Sequence, residues 1–117
     1  MKFRFYIGGF FGISHEVRYE GDGIYYTSSE SDCISPVICI TDLANNDHWL
    51  SLLKFCDTIV WQKRYDSEAL DGTQWEFIYS SDSNKVRSSG NNAFPRDFPR
   101  FLKKINVLFE EHDIILA

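Results

Sequence analysis

Residues 71–108 set three kinds of order end to end, and that succession limits the folds open to this chain more than any other feature. Trp75, Phe77 and Tyr79 alternate along one stretch, the period-2 pattern of a strand with one apolar face. A polar turn follows at residues 81–84, then a short strand through Val86, then a corner at Gly90-Asn91-Asn92. Beyond it Phe98, Phe101, Leu102, Ile105, Leu108 and Phe109 recur at i, i+3, i+4, i+7 spacing, while Arg100, Lys103 and Lys104 project from the other side. That is a helix burying one stripe. Pro95 and Pro99 suit its approach and first turn, where a missing N–H costs nothing. Strands followed directly by such a helix predict an α+β module in which Phe101, Leu102 and Ile105 pack on Trp75 and Phe77.

The rest of the chain reads in the same terms. Phe3, Phe5 and Ile7 alternate with Lys2, Arg4 and Tyr6 in a first strand over 2–7; a second spans 13–19 and a third 24–27, across the turn Gly21-Asp22-Gly23. This is an antiparallel meander. Residues 28–32 read as a loop or hairpin tip, and 34–40, broken by Pro36, as an edge strand or extended connection. Trp49, Leu52, Leu53 and Cys56 fall at helical spacing within 43–56, with Asn45, Asn46 or Asp47 as the cap. A strand is expected over 58–65 and a polar loop over 66–72. With 117 residues, the chain has the size of one domain. The expectation is a single α+β domain, residues 1–117, of order β-β-β-(β)-α-β-β-β-α, its mostly antiparallel sheet carrying both helices on one face.

Charge is distributed unevenly. No Lys or Arg occurs between Arg18 and Lys54, a window holding Glu20, Asp22, Glu30, Asp32, Asp42 and Asp47. Between residues 85 and 104 the balance reverses: Lys85, Arg87, Arg96, Arg100, Lys103 and Lys104 face a single Asp97. The net charge of −5 opposes binding to a phosphate backbone, and the basic helix face lacks interleaved stacking aromatics, so no nucleic-acid partner is expected. No apolar run is long enough to span a bilayer and the N-terminus lacks a signal-peptide layout, which predicts a cytoplasmic protein without a membrane partner. Cys33, Cys39 and Cys56 match neither zinc nor redox spacing and are expected reduced.

Catalytic readings find little support in the residues. His15, His48 and His112 share no metal-ligand spacing, so no metal or other cofactor is expected. Cys56 on an apolar helix face lacks the electropositive, exposed setting of a nucleophile. Glu76 and Asp71 would make a carboxylate pair for acid–base work, but a solvated strand residue and a turn residue explain them as well. Gly8-Gly9-Phe10-Phe11-Gly12 precedes a strand, not a helix whose N-terminus would hold a phosphate. The acidic window offers more: its carboxylates, interleaved with Tyr25 and Tyr26, combine attraction for a basic surface with aromatic anchors. Tyr25, Tyr26, Glu30, Asp32, Asp42 and Asp47 are therefore the expected contacts of a protein partner, with Phe10 and Phe11 as a second candidate surface.

Four segments carry a family resemblance: Gly8-Gly9-Phe10-Phe11-Gly12, the Trp61 to Tyr65 stretch, Asp71-Gly72-Thr73-Gln74-Trp75, and Gly90-Asn91-Asn92-Ala93-Phe94-Pro95. In this order they resemble a group of small, mostly uncharacterised single-domain bacterial proteins. The first segment is also similar to emfourin, a small inhibitor of a thermolysin-like metalloprotease, which implies inhibition through residues 8–12. By type, a small acidic protein without a catalytic constellation is similar to immunity proteins, which neutralise a toxin domain delivered by a neighbouring cell. The functional expectation is accordingly a non-enzymatic binding protein that covers a basic toxin domain such as a nuclease. Emfourin-like inhibition and an enzyme with an unrecognised site are the alternatives.

Overall fold

The computed structural model describes residues 1–9, 12–30, 33–34, 37–67, 72–112 and 116. The first three strands, β1 (Lys2–Gly8), β2 (Ile13–Tyr19) and β3 (Ile24–Glu30), form the meander, and β4 (Cys33–Ile34) and β5 (Ile38–Ile40) both pair with the outer edge of β3. After helix α1 (Asp47–Cys56) come β6 (Arg64–Asp66), β7 (Gln74–Ser80), β8 (Lys85–Asn91) and helix α2 (Phe98–Leu108). The eight strands make one sheet of order β4-β3-β2-β1-β7-β8-β6, with β5 also paired to β3. Every pairing is antiparallel except β6 with β8. The α+β class and the element order follow the sequence pattern.

Alternation decides which face is covered. Phe3, Phe5 and Ile7 of β1 stand opposite Tyr79, Phe77 and Trp75 of β7, and all six are buried. Both helices lie on them. Trp49 of α1 meets Phe3 edge-on at 5.5 Å, and Phe101 of α2 sits 4.9 Å from Phe5 and 4.7 Å from Phe77. Phe98, not Phe101, covers Trp75, at 4.8 Å, and Leu102 is only partly buried at the edge of the cluster. Trp75 is admitted by a missing side chain on the next strand, because a Cβ on Gly90 would stand 2.3 Å from its Nε1. That indole N–H donates to the Ala93 carbonyl at 2.9 Å.

Several boundaries differ from those the sequence suggests, each for a local reason. β3 continues through residues 28–30, read as loop, because Ser28, Ser29 and Glu30 pair with His15, Ser14 and Ile13. Residues 58–63 are not a strand: Trp61 turns into the core, its Nε1–H donating to Asp97 at 2.7 Å, while Val60 is left 93% exposed. The segment follows β8 through Ser88, whose hydroxyl donates to the Gln62 carbonyl, and joins the ladder only at β6. Within the corner expected at Gly90-Asn91-Asn92, the turn is made at Asn92, with φ of +51°, because β8 runs on through Asn91. A short 3-10 turn, Leu43–Asn45, precedes α1, whose cap is Asn46, accepting the Trp49 N–H.

The far end of α1 is fastened by the β7–β8 hairpin. Asn84 donates from Nδ2 to the carbonyls of Cys56 and Ile59, and Tyr79 and Ser81 both donate to the Asp57 carboxylate at 2.7 and 2.6 Å. Burial and the neighbouring Asp57 keep the Tyr79 phenol protonated far above its ordinary range.

Two substitutions test this packing. Ile105 is fully buried, so Ile105→Ala should lower unfolding stability in urea by about 2–5 kcal/mol. Gly90→Ala should cost about 1–3 kcal/mol by pushing Trp75 aside, seen as a lower urea midpoint with the Trp75 environment altered in near-UV circular dichroism.

Candidate functional site

The helices leave one face of the sheet uncovered, and the polar half of each strand's alternation lines it. Arg4 of β1 stands directly opposite Arg18 of β2, an arrangement that repels unless carboxylates intervene. They do. Arg4 reaches Glu76 at 2.7 Å and Glu16 at 3.3 Å, and Arg18 reaches Glu16 at 3.5 Å and Glu20 at 2.7 Å. A chain of alternating charge thus crosses β7, β1 and β2. Such exposed pairs add little stability singly, but together they orient five side chains. Glu76, read from sequence as one half of a carboxylate pair, is the Arg4 partner; Asp71 lies outside the described residues. Tyr6, one row on, stands opposite both Glu16 and Glu76.

The chain of charge ends at the β2–β3 turn, where the acidic window begins. Tyr25 projects onto the open face with the Arg18 guanidinium over its ring at 5.5 Å, and its hydroxyl donates to both Asp22 carboxylate oxygens at 3.1 and 3.0 Å. Hydrogen bonding to Cys39 and to Asp22 pushes the phenol pKa up to about 12. Asp22 and Asp42 lie two residues outside the paired Ile24 and Ile40, at the same end of the sheet. Asp42 takes a left-handed φ of 56° and accepts from the Asn45 side chain at 2.9 Å. Asp47 opens α1, where the helix dipole favours a carboxylate.

The remaining expected contacts are dispersed. Tyr26 follows Tyr25 in the strand and so faces the other way: it is buried, packed on Phe109 with rings 5.6 Å apart, its hydroxyl 2.6 Å from His15 Nδ1. Its ring belongs to the core and not to the surface. Glu30 ends β3 about 20 Å from Ile24 by strand rise. Asp32, Phe10 and Phe11 lie outside the described residues. The site that forms is therefore Arg18, Glu20, Asp22 and Tyr25, with Asp42 at the same end of the sheet. Period-2 alternation puts Arg4 on the polar side of β1, and Glu16 and Arg18 on that of β2; what it could not supply were the registers that bring them together and add Glu76.

Among the described residues no group of three or more His, Cys, Asp or Glu is placed to hold a metal ion, and no helix is long and apolar enough to cross a membrane. Burial drives the Cys56 thiol pKa far upward, which suits packing rather than nucleophilic attack. Compared with family models, with curated proteins and with solved structures, the chain matches none.

The His15–Tyr26 contact has a pH signature. Burial lowers the His15 pKa from its ordinary 6.5, so the unfolded chain binds that proton more readily than the folded one. The resulting stability is present above about pH 6.5 and is lost as pH falls through the lower folded value. Urea unfolding at about pH 7.5 and about pH 5 should show a smaller difference for His15→Gln than for the wild type. Equal differences would remove His15 as a contributor.

Proposed function

We propose that this chain is a non-enzymatic, protein-binding inhibitor of the immunity type, which covers a basic domain of a toxin with the acidic end of its open sheet face. Tyr25 carries the reading. Its ring is stacked under Arg18 and its tip held by Asp22, so a large amphipathic side chain meets a partner with little ordering left to do. Asp22 and Glu20 add negative charge beside it, Asp42 lies at the same end of the sheet, and Arg18, already paired to Glu16 and Glu20, is the only cation in the group. Carboxylates around an ordered tyrosine suit a partner rich in Lys and Arg: long-range attraction speeds encounter, and the aromatic anchor slows escape. A basic nuclease-type toxin domain has that chemistry, because its own substrate is a polyanion.

The test uses the partner recovered in complex from the producing strain. Reversing Asp22 and Asp42 to Lys together should slow association by about tenfold or more at low salt, with the loss shrinking as salt is raised. Tyr25→Ala should act on dissociation instead, weakening binding by about 2 kcal/mol or more. A partner that is itself acidic, or an affinity that ignores all three positions, would reject this surface.

A further inference from the structure

The opposite side of the molecule carries a concave site of reversed sign. A groove of about 340 Å³ runs between the outer surfaces of α1 and α2, lined by His48, Ser51, Arg100, Lys103, Lys104 and Val107. Its cations are positioned. Lys104 donates from Nζ to the Ser51 hydroxyl at 2.9 Å, and Arg100 and Lys104 both lie over the Phe55 ring, at 5.4 and 6.0 Å from its centroid. The ring's negative face holds them where a carboxylate would otherwise do so. None of Arg100, Lys103 and Lys104 has an ion-pair partner among the described residues, and α2 contains no Asp or Glu.

That arrangement is uneconomical for a helix surface that serves solubility alone. Arg100 is spaced i, i+3 from Lys103 and i, i+4 from Lys104, so the three repel along one face. The chain has 17 acidic residues against 12 Lys and Arg, yet places none within this lining. Glu110 and Glu111 border a neighbouring groove on the far side of His48 and Val107. Converging N–H donors of this kind, a planar guanidinium beside two ammonium groups and a hydroxyl, match a tetrahedral oxyanion better than a lone carboxylate. Such an anion accepts several bonds at once and relieves the repulsion.

We propose that the α1–α2 groove binds a phosphate-class oxyanion, with Arg100, Lys103 and Lys104 as its principal contacts and Ser51 and His48 at its margin. The site is separate from the open sheet face and stands whether or not that face binds a toxin.

The probe is inorganic pyrophosphate, titrated into the 15N-labelled full chain at ionic strength held constant with sodium chloride. Amide signals of His48, Ser51 and residues 100–104 should shift and saturate. Arg100→Gln and Lys103→Gln, both at exposed positions, should each weaken binding by about tenfold, with circular dichroism verifying the fold. Lys85→Gln removes the same charge from the β7–β8 hairpin and should leave affinity within about twofold, since that position is solvated and screened from the groove. Shifts that never saturate, shifts centred elsewhere, or an equal loss from Lys85→Gln would overturn the proposal.

Discussion

The pairing of β1 with β7 is the contact on which the rest of the molecule depends. It joins residues about seventy positions apart through a seven-residue register, Lys2 to Gly8 against Gln74 to Ser80. Until it forms, the meander and the C-terminal hairpin are two small pieces, each with half of an apolar face. Once Phe3, Phe5 and Ile7 align with Tyr79, Phe77 and Trp75, that face is wide enough to receive both helices. Closing so long a loop costs entropy before any packing repays it, and the density of aromatic rings across the junction is what offsets the cost. Phe77 alone meets Phe3, Phe5, Trp61, Tyr79 and Phe101.

The same register organises the other side of the sheet. Because side chains alternate, aligning Phe5 with Phe77 also brings Arg4 beside Glu76 and sets Tyr6 opposite Glu76, while the β1–β2 register puts Glu16 on the other side of Tyr6. The charge chain that leads to Tyr25 is thus a consequence of core packing, and any slip by one residue would invert both faces together. The helix layer carries the opposite sign, so the molecule offers a carboxylate-flanked tyrosine on one side and an unneutralised cationic groove on the other.

Trp61 illustrates how tertiary demand overrides local preference. Its neighbourhood is rich in β-branched and aromatic residues and reads as strand, yet the indole is needed inside, between Trp75, Phe98 and Phe101. Asp97 completes the exchange. It precedes α2 at the capping position but makes no cap bond from its side chain, accepting instead the Trp61 N–H. Residues 58–63 therefore stay out of the ladder, held to β8 by the Ser88 hydroxyl on the Gln62 carbonyl and the Ser89 N–H on that of Lys63, and Val60 is turned to solvent.

The sequence by itself determined the α+β class, the order of strands and helices, the helix stripes and the inward sets of β1 and β7, because these are local periodicities fixed by 3.6- and 2-residue repeats. It also determined that Tyr25 and Tyr26 must face opposite ways, a consequence of the pleat alone. Tertiary structure decided which of the two is buried, since that depends on which side α1 and α2 cover. It likewise decided that Glu30 stands apart from Asp22 and Asp42, because charges close in sequence are spread along the length of a strand. The pairing of Glu76 with Arg4 and the meeting of Ser51, Phe55, Arg100 and Lys104 came from the fold too. Those contacts join residues tens of positions apart, and no repeat along the chain encodes a distance of that kind.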